Sequence, residues 1–490
     1  MTVEDARLLR ICGCAVCKEE ADLDELQEFL VECAKEYEKL QIYGKIRVAK
    51  TANWSYNNRE IHFSYFTSKE EFGLSLELSR VCSAISPSPT LAIDAKAKEM
   101  AANGRDVVSF CAGEPDFVTP QYIRTAAHEA LDMGLTKYTP AAGTLALRQA
   151  ICDKLLCDNA LSYTPSQIVV SNGAKFSIYA ALCALLNPGD EVIIPTPCWV
   201  SYPEMVRLAG GVPVFVQTRR ENNYIAEARD LAPFVTERTK VLLINTPGNP
   251  TGAVFNRDQL REIAKLAVAR GFYVISDEIY EKLIYDGEQH TSIASFGEAI
   301  YNQTIVINGM SKAYAMTGWR IGYAAAPAPI AKIMGSLQSQ VASGSNAIAQ
   351  YACVEALTSF KGVSQVESMR QQYDRRRKMM VSRLNAMNGV HCNMPKGAFY
   401  VMMDISALFG KYYGYVQVND SMTFASLLLE NADVAIVPGS AFCSEGFCRL
   451  SYATSMENIQ RGLVRIAAFV DAMSDEPHEL IQNLPQDQHE

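Results

Sequence analysis

The sequence predicts an α/β fold, in which a mostly parallel sheet lies between helices, with a smaller α+β domain and an N-terminal α+β appendage. Short apolar, β-branched stretches alternate with helical patterns in the middle of the chain, as a parallel sheet requires. After residue 329 the pattern becomes helical and contains only three strand-like stretches. The character of the chain also changes at Ser79, shortly before a Pro/Ser hinge at residues 86–90.

These observations divide the chain into five predicted parts. They are an appendage of unknown role (1–78), an N-terminal arm with part of the small domain (79–125), a large domain (126–370), a small C-terminal domain (371–473) and a disordered tail (474–490).

The composition is ordinary for a globular protein of 490 residues, with 49% hydrophobic and 20% charged residues. The formal net charge of −9 argues against a general nucleic-acid or membrane-surface binder. No apolar run approaches the ~20 residues needed to span a bilayer, and the N-terminus does not resemble a signal peptide. The fourteen cysteines are scattered, which predicts reduced thiols in a cytoplasmic protein.

The appendage combines a helical pattern over residues 22–40 with short strand-like stretches over residues 45–66. Its cysteines Cys12, Cys14 and Cys17, with Cys33 downstream, raise the alternative of a metal site. No second close pair completes a zinc pattern, so we predict core cysteines and no metal.

The middle region supplies the strands of the predicted parallel sheet, each followed by polar or glycine residues. The strands are predicted at residues 168–171, 191–194, 212–216, 241–244, 272–275, 304–307 and 322–326, with a helix at 257–270. A short buried strand at 107–110 is predicted earlier, in the segment 79–125. In the smaller domain, strands are predicted at residues 399–404, 433–437 and 448–452 around a helix at 421–431. Arg375 to Lys378 lie in a long helix at 362–388, and their mixed charged surroundings predict a solvated face.

The stretch 304–323 holds the central candidate, Lys312, just past the end of a strand. Desolvation and nearby cations lower the pKa of a lysine and make its amine nucleophilic, which suits imine chemistry. Ser311 and Arg320 flank this lysine and could hold a phosphate, a combination that suggests pyridoxal phosphate. The alternative is an ordinary surface lysine in a strand-to-loop turn.

Further candidates lie at other strand ends, where ligands bind in open parallel sheets. Gly173 and Ala174 open a helix whose N–H groups can take a phosphate, and Asp277 can pair with a protonated ring nitrogen. Four more side chains have roles by their chemistry: Trp199 offers a flat face, Asn249 and Tyr280 can hydrogen-bond a ring hydroxyl, and Arg449 can bind a carboxylate. Alone, each has a structural alternative: a helix cap for Asp277, a core position for Trp199 and a surface ion pair for Arg449.

Ten motifs follow one another along residues 79–473: AGEPDF at 112, KYTPAAG at 137, NGAK at 172, WVSYPEMV at 199, NTPGNPTGAVF at 245, SDEIYE at 276, SKAYAMTGWRIGYA at 311, KGAFYV at 396, VPGSAF at 437 and RLSYATS at 449. With these motifs the stretch resembles the class I/II aminotransferases, and most of all the bacterial-type aspartate aminotransferases, a branch that includes aspartate/prephenate aminotransferases. The resemblance implies the fold type I architecture of pyridoxal-phosphate-dependent transferases, with the cofactor in the large domain.

The resemblance also implies a role for each candidate. Lys312 carries the cofactor and moves the proton of the substrate's α-carbon. The ring is contacted by Asp277, Tyr280, Asn249 and Trp199, of which Asn249 and Trp199 also approach the substrate. The phosphate is held by Gly173, Ala174, Ser311 and Arg320. Tyr138 reaches the phosphate of the partner subunit in a homodimer. Arg449 and the Gly113 backbone hold the α-carboxylate, and Lys175, Ser88 and Thr90 are candidates for the distal carboxylate.

The expected reaction is transamination between aspartate and 2-oxoglutarate, in two half-reactions that give oxaloacetate and glutamate. Prephenate, aromatic or alanine-type transamination is the alternative, and these amino donors stay open. A non-enzymatic alternative is a pyridoxal-phosphate-binding regulator, because some regulators fuse a DNA-binding domain ahead of an aminotransferase-like domain. Residues 1–78 carry ten basic and fifteen acidic residues, which fits nucleic-acid binding poorly.

Overall fold

The computed structural model describes residues 78–85 and 89–479, without the side chains of residues 89–91. All of them belong to the compact unit Glu77–Glu490. Residues 1–77, with the predicted appendage and its cysteines, lie outside the described residues, as do Ser88 and the side chain of Thr90. Across the described ranges, no helix is both long enough and apolar enough to cross a membrane.

The strands of the described chain form one large sheet and three smaller ones. In chain order they are β1 Val108–Ser109, β2 Ile168–Ser171, β3 Glu191–Thr196, β4 Val212–Gln217, β5 Thr239–Asn245, β6 Tyr273–Asp277, β7 Thr304–Gly309, β8 Gly322–Ala325, β9 Tyr400–Asp404, β10 Tyr412–Tyr413, β11 Val416–Gln417, β12 Val434–Ala435, β13 Val437–Pro438 and β14 Phe447–Ser451. The large sheet has the order β2-β8-β7-β6-β5-β3-β4. Only β8 runs antiparallel to its neighbours, so the predicted mostly parallel sheet is confirmed.

Helices cover this sheet, which explains why its central strands are apolar without alternation. In chain order the helices are α1 Arg80–Ser83, α2 Pro89–Ala102, α3 Gln121–Asp132, α4 Leu145–Asn159, α5 Ala174–Leu185, α6 Ser201–Leu208, α7 Ala228–Leu231, α8 Arg257–Arg270, α9 Glu298–Tyr301, α10 Ala328–Val341, α11 Ala347–Thr358, α12 Lys361–Leu384, α13 Ser421–Ala432 and α14 Met456–Asp471. All residues of β2 and β7 are buried.

The register of the sheet brings several strand ends to one edge. Asn245 at the end of β5 pairs with Asp277 at the end of β6, and Gly309 at the end of β7 pairs with Gly322. Since β8 is antiparallel, it begins at the edge where the other strands end. The loops after β5, β6 and β7 therefore meet the residues that precede β8.

The smaller domain contains the antiparallel sheet β13-β14-β9 and the parallel pair β1-β12. The single strand predicted at residues 433–437 is wrong in detail, because this stretch forms two strands in different sheets. Val434 and Ala435 pair with β1, whereas Val437 pairs with Arg449 in β14. The domain boundaries themselves remain predictions.

The C-terminal segment that was predicted to be disordered begins with a backbone contact. Ser474 exchanges two hydrogen bonds with Tyr412, of 2.8 and 3.0 Å. Residues 480–490 lie outside the described residues.

Helix α12 corrects the prediction that Arg375 to Lys378 form a solvated face. Arg376 and Arg377 are buried, with 8% and 0% of their surfaces exposed. Arg376 makes a two-pronged contact with Asp116, and Arg377 makes one with Asp286 at 2.7 and 2.9 Å. Four consecutive helical residues span the whole circumference of a helix, so they cannot share one solvated face.

We expect Arg377→Met to lower the free energy of unfolding by about 3 kcal/mol, because it removes the buried cation that Asp286, Asp374 and the Pro395 carbonyl all contact. The loss stays at the low end for a broken buried pair because Lys396 and Lys378 still contact the two carboxylates. Urea unfolding measures this change. Arg375→Met is the control, because Arg375 lies in the same helix but is exposed to solvent. It should change the free energy of unfolding by less than about 0.5 kcal/mol. Equal effects of the two substitutions would contradict a role for the buried pair.

Candidate functional site

A cavity of about 650 Å³ opens at the edge where β5, β6 and β7 end and β8 begins. It brings together most of the site residues that the sequence predicts. These are Gly113, Ala174, Lys175, Trp199, Asn249, Asp277, Tyr280, Ser311, Lys312, Arg320 and Arg449.

Lys312 projects into this cavity from the turn after β7. Its Nζ donates a hydrogen bond to the Gly113 carbonyl and lies 5.8 Å and 5.7 Å from the ring centres of Tyr280 and Phe399. Burial lowers the pKa of Lys312 to about 8. A sizeable fraction of its amine is therefore neutral near physiological pH and can act as a nucleophile or base.

Asp277 is the last residue of β6, and 4% of its surface is exposed. Its Oδ2 accepts a hydrogen bond of 2.6 Å from the Tyr202 hydroxyl, and its Oδ1 accepts one of 3.2 Å from the Ile279 N–H. Burial raises the pKa of Asp277 to about 6, although these hydrogen bonds favour the carboxylate. A cation bound against this group would stabilise its ionised form.

The predicted phosphate clamp combines a helix start with an arginine. Gly173 precedes α5 with a φ of 87°, and a Cβ there would collide with the guanidinium of Arg320. Gly322 is equally constrained, because a Cβ would meet the backbone of Gly173 and Ala174. These two glycines let the start of β8 approach the N-terminus of α5, whose free N–H groups and dipole favour an anion.

Arg320 itself adopts the left-handed backbone conformation, with a φ of 56°. Its Nη1 donates to the Thr317 carbonyl at 2.9 Å. Such a conformation is uncommon for a residue with a side chain and recurs at functional sites. Here it turns the chain into β8 while the guanidinium stays beside Gly173.

Arg449 enters the cavity from the smaller domain, on strand β14. It is 3% exposed, and its guanidinium donates to Asn249 Oδ1 at 3.2 Å and to the Cys111 carbonyl at 2.7 Å. Its Nε has no hydrogen-bond partner among the described residues. Because buried guanidinium N–H groups are normally paired, this arginine is suited to bind an anion from the cavity.

Lys175 is the second lysine of the cavity, and its Nζ lies 4.8 Å from the ring centre of Trp199. Burial and the charge of Arg320 lower its pKa. Trp199 packs edge-on against Tyr202, with ring centres 5.3 Å apart. Lys175 thus adds a cationic group to the cavity that also holds Arg449.

Sequence reasoning missed several residues that position this site. Tyr202 holds Asp277, Tyr400 shares a hydrogen bond of 2.9 Å with Tyr280, and Asn245 accepts a hydrogen bond from the Asn249 backbone N–H at 2.7 Å. The signal for Tyr202 was present, because it lies three residues after Trp199 at the start of a helix. Tyr400 gave no such signal, since it lies in a strand of the smaller domain.

Behind β6, a buried network supports the residues that follow Asp277. Glu278 accepts hydrogen bonds from Ser276, Ser292 and His290, at 2.7 to 2.9 Å. Glu281 forms an ion pair with Lys154 and accepts from two asparagines. Burial opposes charge on Glu281, yet Lys154 and His290 lower its pKa to about 2.

This network includes three groups with ligand atoms within 4.8 Å of one another: Glu278, Glu281 and His290. Their oxygens already accept hydrogen bonds from protein donors. Burial opposes charge on His290, but Glu278 raises its pKa, which favours a protonated ring that cannot ligate a metal. We therefore assign no metal to this cluster.

Two groups of predicted residues are not brought into the cavity. Tyr138 is 96% exposed and lines a separate groove of about 750 Å³, formed by residues 135–139 and 342–348. Its predicted contact with a partner subunit remains a prediction. Ser88 and the side chain of Thr90 lie outside the described residues.

Comparison with known proteins gives a consistent family. Residues 105–466 match the family described as aminotransferase class I and II. The chain is 48% identical over 386 residues to the aspartate aminotransferase of Bacillus sp. strain YM-2, which covers 79% of this chain and 97% of that protein. It is also 48% identical over 388 residues to a probable aspartate/prephenate aminotransferase of Aquifex aeolicus, over 79% of this chain and 97% of that one.

A solved structure agrees with these relatives. The aspartate aminotransferase of Thermus thermophilus with maleate superposes with a TM-score of 0.76 at 45% identity. The alignment covers 80% of this chain and 99% of that one.

We expect Asp277→Asn to stabilise the ligand-free protein at pH 8. Raising the pKa of one carboxyl from 3.8 to about 6 costs the ionised protein about 3 kcal/mol. This cost is fully present above pH 6 and disappears as the pH falls towards 4, so the advantage of the variant should roughly halve at pH 5. Urea unfolding of ligand-free wild type and variant at pH 8 and pH 5 measures it.

Asp258→Asn is the matched control, because Asp258 is exposed in the first turn of α8 and should show no such pH-dependent gain. A variant at position 277 that is less stable than wild type at pH 8 would contradict the burial argument.

Proposed function

The chain belongs to the class I and II aminotransferase family, and we propose that it uses pyridoxal 5′-phosphate to transfer amino groups between aspartate and 2-oxoglutarate. The observation that carries this proposal is the meeting of Lys312, Asp277 and Arg449 in one cavity. They supply an amine of lowered pKa, a carboxyl group suited to a cation, and a guanidinium suited to a carboxylate.

The residues present fit this cofactor by their chemistry. Arg320, Ser311 and the N-terminus of α5 would hold the phosphate, since together they offer a guanidinium, a hydroxyl and free backbone N–H groups. Asp277 would pair with the protonated ring nitrogen, which supplies the cation that its buried carboxyl favours.

Three further side chains would hold the ring. Asn249 and Tyr280 would hydrogen-bond its oxygen, and Trp199 would cover one face. When bound, the cofactor supplies an electron sink that stabilises negative charge at the substrate's α-carbon.

Lys312 holds and moves the proton at that carbon. Lys312 lines the cavity, and its lowered pKa near 8 lets the amine both accept and return a proton near neutral pH. The rings of Tyr280 and Phe399 lie beside the amine, with ring centres 5.8 and 5.7 Å from its Nζ. A group that moves a proton in either direction suits a reaction that runs in two opposite half-reactions.

Arg449 and Lys175 define the substrate class. We propose that Arg449, with the Gly113 backbone, binds the α-carboxylate and that Lys175 attracts the distal carboxylate. Two cationic side chains in one cavity favour a dicarboxylate such as aspartate, glutamate, oxaloacetate or 2-oxoglutarate. The Thermus thermophilus relative is named with maleate, a four-carbon dicarboxylate, which supports this assignment.

The amino group is transferred in two half-reactions. In the first, aspartate gives up its amino group and leaves as oxaloacetate. In the second, 2-oxoglutarate takes that amino group and leaves as glutamate. Prephenate is the second candidate acceptor, because the Aquifex aeolicus relative is named for it at 48% identity.

We also propose that the protein is a cytoplasmic homodimer. The ten cysteines in the described ranges are free thiols, as a reducing compartment favours. The ring of Tyr138 is exposed beside a broad groove, which is consistent with a contact between this residue and a second copy of the chain. The regulatory alternative is less favoured, because the relatives are named as enzymes and align over 97% of their length.

We expect Lys312→Ala to abolish the visible absorption of the lysine-bound cofactor and to lower turnover by at least about 10³-fold, because no other group replaces this base. Spectroscopy and a coupled transaminase assay measure the two effects. Lys312→Arg is the matched variant: it keeps the positive charge but cannot bind the cofactor covalently. If either variant retains both absorption and turnover, the proposed function is wrong.

We expect Lys175→Ala to lower kcat/KM for aspartate and glutamate by about 10- to 100-fold, the loss of one charge-assisted contact. The value for alanine, which has no distal carboxylate, should change little. Single-turnover spectra with aspartate, glutamate, alanine, phenylalanine and arogenate measure each amino donor in turn. Lys332→Ala, an exposed lysine outside this cavity, is the control.

Fast conversion of arogenate by wild type would add the prephenate reaction to the proposal. Conversion mainly of alanine or phenylalanine would overturn the substrate class but leave the enzyme class standing.

A further inference from the structure

We propose that Cys198 and Cys443 form a redox-sensitive pair, which a small-molecule disulfide converts into a reversible intramolecular disulfide that slows turnover. Neither thiol lines the catalytic cavity. The proposal goes beyond the proposed function, and only its effect on turnover depends on that function.

The two cysteines come from segments far apart in the chain but touch in the fold. Cys443 packs against the buried apolar cluster that contains Cys198, and each thiol affects the ionisation of the other. The backbone N–H of Cys198 also donates to the carbonyl of Phe442, the residue before Cys443, at 3.1 Å. This hydrogen bond holds the two main chains close together next to both cysteines, and bridged cysteines need Cα atoms within about 7 Å.

The two thiols differ in a way that suits stepwise exchange. Cys443 is partly exposed, and its interaction with Cys198 lowers its pKa to about 7, with a further contribution from Arg207. About half of this thiol is therefore the nucleophilic thiolate near neutral pH. Cys198 is buried, and its contact with Cys443 and its burial hold its pKa well above the usual value.

Other buried cysteines lack this reactivity. Burial raises the pKa of Cys111 and Cys392 to about 12 and raises that of Cys353 and Cys448 as well. Their thiols stay protonated and out of contact with solvent. These cysteines fit the structural thiols that the sequence predicts.

The reaction is two successive thiol–disulfide exchanges. The Cys443 thiolate attacks one sulfur of a disulfide RSSR, a Cys443–SR bond forms, and RS⁻ leaves with the electron pair of the broken bond. Cys198 then loses its proton to solvent and attacks the Cys443 sulfur, and a second RS⁻ leaves. The two cysteines are oxidised by two electrons, and RSSR is reduced to two thiols.

The first exchange prepares the second. Once Cys443 carries SR, its negative charge is gone, and with it the contact that most strongly opposes ionisation of Cys198. Burial still opposes ionisation of Cys198, but the nearby Cys443–SR sulfur makes its attack intramolecular, which completes the bond. Reduction by cellular thiols reverses both steps, as is typical of regulatory disulfides in a reducing compartment.

The disulfide would link two segments of the chain that each carry a residue of the catalytic cavity, Trp199 and Arg449. Cys198 directly precedes Trp199, whose neighbour Tyr202 holds Asp277. Cys443 lies in the segment between β13 and β14, six residues before Arg449. A disulfide draws the two sulfurs to about 2 Å, closer than a hydrogen bond, and must shift one or both segments.

Such a shift is expected to affect catalysis, because displacing a positioned group by 1 Å can cost up to about 10²-fold in rate. We therefore expect oxidation to lower kcat/KM for aspartate by about tenfold. Dithiothreitol should restore the full value.

The test is to titrate the cofactor-loaded, full-length protein with oxidised glutathione at pH 7.5, trap free thiols with iodoacetamide and digest without reduction. Mass spectrometry should find the peptides of Cys198 and Cys443 joined, with a mass two hydrogen atoms below their sum. Activity before and after dithiothreitol is measured on the same samples.

Two variants separate the proposal from general oxidation. Cys443→Ser should keep its activity in oxidised glutathione and give no joined peptide. Cys198→Ala should accumulate glutathione on Cys443, because the resolving thiol is missing. Cys157→Ser removes an exposed thiol and should behave as wild type does, with a joined peptide and a reversible loss of activity.

Three results would overturn the disulfide proposal, and a fourth would count only against the proposed function. Absence of the joined peptide at oxidant concentrations that modify Cys157 would overturn the proposal. So would a joined peptide without any change in activity, or an equal loss of activity in Cys443→Ser. Because the joined peptide is detected by mass, failure of the transaminase assay alone would count against the proposed function and not against the disulfide.

Discussion

Burial of charge at one edge of the sheet is the constraint on which the site depends. Asp277, Lys312 and Arg449 are all withdrawn from solvent, and each is less stable there without a partner of opposite charge. The protein meets this cost only in part, through the Tyr202 hydroxyl, the Gly113 carbonyl and Asn249. A charged cofactor and substrate would supply the opposite charges that these buried groups lack. The same lack of partners therefore destabilises the ligand-free site and favours the binding of charged ligands.

The antiparallel strand β8 determines which residues can share this edge. If all seven strands were parallel, the segment before β8 would lie at the opposite edge, far from Lys312. The reversal instead brings Arg320 against the start of α5, and the missing side chains at Gly173 and Gly322 allow the close approach. The proposed phosphate clamp thus depends on the topology as much as on its residues.

The sequence predicts the parallel sheet and the composition of the site well, because both depend on local signals: apolar stretches and the polar residues that follow them. It fails where the deciding partner is remote. The burial of Arg376 and Arg377 depends on Asp116 and Asp286, which lie about 90 to 260 positions away. The support of Asp277 by Tyr202 and the contact of Cys198 with Cys443 depend on how helices and loops pack, which no local pattern records.

The spread of the site along the chain has a consequence for the order in which it is completed during synthesis. Gly173 is made early, Asp277 and Lys312 follow, and Arg449 is added near the end. A growing chain that has reached β8 contains Gly173, Ser311 and Arg320 of the proposed phosphate clamp but lacks Arg449, which we propose to bind the carboxylate. The proposed cofactor site can therefore be completed before the proposed substrate site, while the smaller domain is still unfinished.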